Sequence, residues 1–285
     1  MSEMNMGSMG YLRDLADFRD YRPESDQIAG ILKKSRALKA LTAATTPPDK
    51  NLRKWCSPIE DQGDLGSCTA HAGVGLLEYF ERRAFDNYLD GSRLFLYKAT
   101  RNLLGWTGDT GAYLRTTMKA MVLFGTPPET YWKYDIARFD VEPSSFLYSF
   151  AQSYRSIQYY RLDPAGVTPK QTLKNVKNYI AAELPSMFGF TVYSSFPRPG
   201  DGKIDIPYPK PGEHVLGGHA VVAVGYDDNR KIGSHKGALL IRNSWGKTWG
   251  DRGYGWLPYD YVEEGLANDF WSLVRAEFVG TELFK

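Results

Sequence analysis

The sequence predicts an α+β protein in two parts, with helices gathered in the first half and strands in the second. Two patterns and one bound carry that reading. Ala70, Val74, Leu77 and Phe80 recur at the spacing of one helix face, a pattern that begins at Ser67. Val221-Val222-Ala223-Val224 and Leu239-Leu240-Ile241 are short β-like runs with glycine at their borders. The bound is size: 285 residues, 42% hydrophobic and 14% aromatic, can fill one large core or two ordinary ones.

Taken in order, residues 1–46 form a leader. Tyr11, Leu12, Leu15 and Phe18 are spaced for one face of a short helix that Arg22-Pro23 ends, and Ile28, Ile31, Leu32, Leu38 and Leu41 repeat the pattern among lysines. Thr45-Thr46-Pro47-Pro48 reads as an extended linker and sets the boundary of the body. Residues 47–154 make the helical lobe: a helix with Cys68 at its start, a second over Ser92 to Arg101, and a third over Leu114 to Leu123 closed by Gly125. Residues 155–285 make the strand-rich lobe, with one helix opening at Thr168-Pro169 and running to Glu183.

Composition narrows the function. A net charge of +2, with basic and acidic residues interspersed, gives no electrostatic case for nucleic acid or an anionic membrane. No apolar run approaches the roughly 18 residues of a membrane-spanning helix, and no basic stretch leads into an apolar block as in a signal peptide. Two cysteines, Cys56 and Cys68, rule out a disulfide framework and fit a reducing, cytoplasmic setting. No Cys/His cluster has zinc spacing, and neither a metal nor an organic cofactor is expected.

Three separated segments concentrate chemistry. In Gln62-Gly63-Asp64-Leu65-Gly66-Ser67-Cys68-Thr69-Ala70 a thiol stands at a helix start, where unpaired N–H groups and the positive end of the helix dipole favour a thiolate. In Gly218-His219-Ala220 and the Val-rich run that follows, a histidine begins an apolar strand that would hold its ring rigidly. In Asn243-Ser244-Trp245-Gly246, just past a second apolar strand, an amide oxygen could accept an imidazole N–H and the indole of Trp245 could shield that bond. Gln62 could donate to an oxyanion beside the Cys68 N–H. Each residue alone also has an ordinary reading: a small buried thiol, a structural histidine, a core tryptophan, a surface glutamine. His71, one turn after Cys68, would point away from a cleft at the helix start, and His214 and His235 sit in loop-like surroundings.

Together these blocks resemble the papain family of cysteine peptidases. The order is Gln, five residues, Cys; then Gly-His-Ala 151 residues after the Cys; then Asn-Ser-Trp-Gly-x-x-Trp-Gly-x-x-Gly-Tyr, whose Asn lies 24 residues past the His. Thr110-Gly111-Ala112-Tyr113 is similar to the family's substrate-binding glycine pair, and Gly125, Glu129 and Tyr131 to Tyr134 to its Gly, Glu and Tyr-Pro-Tyr arrangement. The resemblance covers about residues 47–275. It implies a papain-like two-lobe fold, with a helical left lobe, a strand-rich, barrel-like right lobe and the cleft between them. By residue it implies Cys68 as nucleophile, His219 as acid/base, Asn243 as orienter and Gln62 as oxyanion donor. Gly66, Gly111, Ala112, Tyr113, Gly218, Ala220, Trp245 and Trp249 would line the substrate site.

Gly66-Ser67-Cys68-Thr69-Ala70 resembles the disulfide-poor bacterial and archaeal branch of the family more than the lysosomal cathepsins, and the sequence departs from the usual pattern at several places. Leu65 stands where the family usually has a disulfide cysteine, Thr69 replaces an aromatic, Gly218 replaces Asp or Asn, and Ala112 replaces the second groove glycine. The implied activity is hydrolysis of protein or peptide substrates by a monomer through a thioacyl-enzyme, with an apolar side chain (Leu, Val or Phe) in the pocket near Ala112, Tyr113 and Ala220. Acyl transfer to an amine and a non-catalytic scaffold are the rival readings, and the presence of both Cys and His speaks against the second. The leader would be a removable pro-segment that blocks the cleft, or else a permanent stabilising arm.

Overall fold

The computed structural model describes residues 9–33, 41, 46–154 and 158–274. Strand β1 (Tyr11–Leu12) and helix α1 (Asp26–Lys33) come from the leader, and β2 (Asp49–Asn51) opens the body. The first half then supplies α2 (Cys68–Phe85), α3 (Arg93–Leu104), β3 (Ala112–Tyr113), α4 (Leu114–Leu123) and α5 (Ser145–Ala151). The second half supplies β4 (Gln158–Arg161), α6 (Pro169–Ala181), β5 (Ser186–Tyr193), β6 (Val215–Ile232), β7 (His235–Arg242), β8 (Tyr254–Pro258), α7 (Asp260–Glu263) and β9 (Ala267–Val274).

Local chemistry explains the helix ends. Ser92 Oγ accepts the Phe95 N–H at 3.2 Å and so caps α3, while Gly105 closes it in the left-handed conformation. Thr168 caps α6 in the same way, with Pro169 in its first turn. Helix α2 is different: every residue from Cys68 to Phe80 is buried, which marks a helix enclosed on all sides. It lies across β6 on one side and against α3 and α4 on the other, so its first residue is held between the two lobes.

The right-lobe sheet is antiparallel, in the order β4-β9-β5-β6-β7-β8, with β2 added alongside β6. Residues 49–51, placed by the sequence in the helical lobe, therefore belong to the strand-rich lobe's sheet. Their Asp-Lys-Asn composition carries no strand signal; the edge of β6 recruits them.

The leader departs further from expectation. No helix runs through Tyr11 to Phe18. Tyr11 and Leu12 instead form a parallel two-stranded ladder with Ala112 and Tyr113, while Leu15 and Phe18 are 84% and 89% exposed. The helix-like spacing is overridden because the cleft binds this backbone in extended form. The second leader helix exists as α1, burying Ile28 and Leu32; Leu38 and Thr45 fall outside the described residues.

Candidate active site

The site begins with the α2 terminus. Cys68 is its first residue, fully buried, and its sulfur is approached by the backbone N–H groups of Ala220, Gly10 and Thr69. Burial pushes the thiol up to about 11, and those N–H groups only partly oppose the rise. Cys56, the other thiol, is also buried and free; its Sγ lies 3.8 Å from the Leu52 carbonyl.

His219 sits within β6, in register with Phe190 of β5. Its ring is held between Phe190, edge-on at 5.9 Å, and Trp245, tilted at 4.7 Å. Asn243 is the residue after β7, and its N–H donates to the Gly253 carbonyl at 2.9 Å. The Asn243 Oδ1 is identified by the Ser244 N–H that it accepts at 2.8 Å. The same oxygen lies 2.6 Å from His219 Nε2, so Nε2 carries the hydrogen and donates it. Nδ1 is then the basic nitrogen, buried and without a hydrogen-bond partner among the described residues. Burial lowers the imidazole to about 4, with the Asn243 bond opposing.

Gln62 joins the lobes. Its Oε1 accepts from Ser244 Oγ at 2.6 Å, its Nε2 donates to the Leu65 carbonyl at 2.8 Å, and its backbone N–H donates to the Ser244 carbonyl at 2.8 Å. The loop that leads to Cys68 and the residue that follows Asn243 are thereby tied together. His71 lies elsewhere: Nδ1 is 3.1 Å from the Ser67 carbonyl, the ring stands edge-on to Tyr134 at 4.9 Å, and burial holds it neutral at about 3.

The groove residues named from sequence meet an occupant, the leader itself. Ala112 donates its N–H to the Gly10 carbonyl at 2.8 Å. A Cβ on Gly111 would strike the Gly10 carbonyl, one on Gly218 the Tyr11 carbonyl, and one on Gly217 the Met9 side chain. Gly66 packs against the Gly10 Cα and donates its N–H to Asp109 at 3.0 Å. Trp249 does not line this groove. It is fully buried behind Trp245, stacked on Phe196 at 5.7 Å, with its N–H given to the Pro197 carbonyl.

The pocket beside Gly111 to Tyr113 also differs from the wholly apolar one expected. The Tyr11 ring fills it against the bare face of Gly189, and the Tyr11 hydroxyl donates to Asp269 Oδ2 at 2.5 Å. Asp269 is completely buried and ion-paired with Arg161, which also binds Asp163 at 3.0 Å. Arg115 holds the leader's Asp20 at 2.7 Å and Asp14 at 3.4 Å. Sequence reasoning missed this cluster, although one signal was present: an acid, Asp269, inside the apolar run Phe270-Trp271-Ser272-Leu273-Val274 and its approach.

Comparison with known proteins places this arrangement. Residues 46–271 match the model of the papain family cysteine proteases. An uncharacterized peptidase C1-like protein of Acanthamoeba polyphaga mimivirus is 38% identical over 216 residues, covering 74% of this chain and 68% of that one. Among solved structures, xylellain, a cysteine protease from Xylella fastidiosa, superposes with a TM-score of 0.75 at 31% identity, over 96% of this chain and 99% of that one. A digestive procathepsin L2 proteinase from Tenebrio molitor shares the fold, with a TM-score of 0.67 at 18% identity over 94% of this chain and 78% of that one. The chain belongs to the papain family of cysteine proteases.

Proposed function

We propose that the chain is a cysteine endopeptidase made in a latent form, with Cys68 as nucleophile, His219 as acid/base, Asn243 as orienter and Gln62 as oxyanion donor. The observation that carries the reading is the His219–Asn243 bond. By accepting the Nε2 hydrogen, Asn243 leaves Nδ1 as the nitrogen able to take the Cys68 proton. The thiolate so formed faces the N–H groups of the α2 start, and attack on a peptide carbonyl gives a tetrahedral oxyanion. The Cys68 N–H and the Gln62 side-chain amide would be the donors to that oxygen. His219 then returns the proton to the leaving amine, and water hydrolyses the thioacyl-enzyme with the same histidine as base.

Latency follows from the leader's position. Met9 to Leu12 cover the sulfur and the groove, and the burial they help impose favours the neutral thiol and the neutral imidazole over the ion pair. Departure of the leader readmits water and lifts that penalty.

The test is covalent labelling by an epoxide affinity inhibitor, with hydrolysis of a fluorogenic peptide measured in parallel. Protein clipped in its leader and diluted until the fragment dissociates should label at Cys68 and turn over peptide. Cys68→Ala should do neither while keeping its melting temperature. Labelling at Cys56, or equal turnover by Cys68→Ala, would defeat the assignment.

A further inference from the structure

We infer that the pocket now filled by Tyr11 is a tyrosine-selecting substrate pocket, with Asp269 as its specificity-determining residue; this rests on the peptidase reading above. The leader displays the ligand. Tyr11 is 8% exposed, its ring lies where a side chain on Gly189 would stand, and its hydroxyl reaches the carboxylate floor. Gly189 and Gly218 supply two walls without a Cβ, so the space fits a flat ring.

The floor decides which ring. Asp269 Oδ1 is taken by Arg161, while Oδ2 accepts only from leader groups among the hydrogen bonds observed: the Tyr11 hydroxyl at 2.5 Å and the Asp14 N–H at 2.8 Å. When the leader leaves, that buried oxygen loses both donors. A phenylalanine entering the pocket would leave it unpaired, which is costly for a buried acceptor. Sites built around a buried polar group reject the analogue that lacks the partner.

Charge then separates tyrosine from arginine and lysine. Removing the leader takes away Asp14 and Asp20 and leaves Asp163 and Asp269 against Arg161 and Arg115. The remaining cluster balances. A cationic side chain would bring a third positive charge beside two guanidiniums, whereas a phenol brings a neutral donor.

The experiment has two arms. In the first, the full chain is clipped in its leader by an added protease, the protease is inhibited, and a positional peptide library is profiled. At the position that fills the pocket, kcat/KM for Tyr should exceed that for Phe by about 10-fold or more. Asp269→Asn should bring the ratio near one, and Gly189→Ala, which fills the pocket from its wall, should move the preference to small residues. Equal use of Tyr, Phe and Leu, or a preference for Arg and Lys, would overturn the inference. The second arm needs no catalysis. In full-length Cys68→Ala, Tyr11→Phe should speed hydrogen exchange at the Ala112 amide, which the Gly10 carbonyl protects, by about 10-fold. Unchanged exchange counts against the Asp269 contact. Absence of hydrolysis by every clipped variant, with the exchange effect intact, would instead sink the peptidase reading and leave the pocket standing.

Discussion

Replacing Gly10 by alanine should unlatch the full-length enzyme. A Cβ at this position would stand inside contact distance of the Gly66 carbonyl, and 2.8 Å from the Gly66 Cα. The obstacle is backbone, and it cannot step aside: Gly66 is tied by its N–H to Asp109, and Asp109 is held in turn by the Tyr97 hydroxyl at 2.5 Å. Overpacking of this kind typically costs 1–3 kcal/mol, with rigid backbone at the upper end or beyond. The grip it opposes is finite. Burying the Tyr11 ring contributes about 2 kcal/mol, its bond to a carboxylate about 2, and the Ala112–Gly10 bond about 1. A penalty of about 3 kcal/mol lowers the docked-to-open ratio by more than 100-fold. The assay is the initial rate of epoxide labelling at Cys68 in protein whose mass is checked as intact. Gly10→Ala should label about 100-fold faster than wild type. Identical slow labelling of both intact proteins would refute the claim that the leader at Gly10 governs access.

Asn243→Ala should lower kcat by about 10-fold or more with a smaller change in KM, because it removes orientation of His219 and not substrate contact; steady-state kinetics on clipped enzyme check the split. His71→Ala and Cys56→Ala should each keep activity per folded molecule within a few-fold while lowering the melting temperature, since both side chains are buried and their observed bonds go to Ser67 and to the Leu52 carbonyl, not to Cys68 or His219. Asp14 gives a pH dependence: burial first, then Asp269, raises its carboxyl from 3.8 to about 6 in the docked chain, with Arg115 and Arg161 opposing. A raised pKa means docking favours the protonated form, so this contribution to the leader's grip is full below about pH 4 and lost as pH rises through about 6. The labelling ratio of Gly10→Ala to wild type should therefore fall from pH 4.5 to 7.5, and Asp14→Asn should flatten that slope.

What the sequence disclosed and what it hid divide along a physical line. Cys68, His219 and Asn243 were legible because each occupies the end or the apolar core of one element, and three such local contexts fall in one family's order. The helices were legible for the same reason: Ser92 and Thr168 announce their own caps. Asp269 was hidden because its role depends on β9 lying beside β5, a strand some 80 residues earlier, and on a tyrosine 258 residues away. The leader misled because Tyr11, Leu12, Leu15 and Phe18 satisfy a helical period that only the cleft could override. No local pattern in residues 11–18 distinguishes a helix face from a strand whose partner is another segment's backbone.

The leader's contacts are individually modest, and its hold depends on being tied to the body. Through the chain that links α1 to Asp49, docking is intramolecular, and a short link of this kind gives an effective concentration of about millimolar. Cutting the chain between α1 and Asp49 would leave the described contacts of Gly10, Tyr11 and Asp14 in place. It would replace that millimolar concentration by the free concentration of the fragment. In a 1 µM solution this lowers the driving concentration about 1,000-fold, equivalent to about 4 kcal/mol of lost grip. Clipped protein should thus be latent when concentrated and active when diluted, with the leader fragment still present in both samples. Specific activity measured across a thousand-fold dilution series should rise as concentration falls, and adding back the fragment should suppress it. Specific activity that stays flat from micromolar to nanomolar, with the fragment still bound by size-exclusion chromatography, would show that the tether contributes nothing to latency.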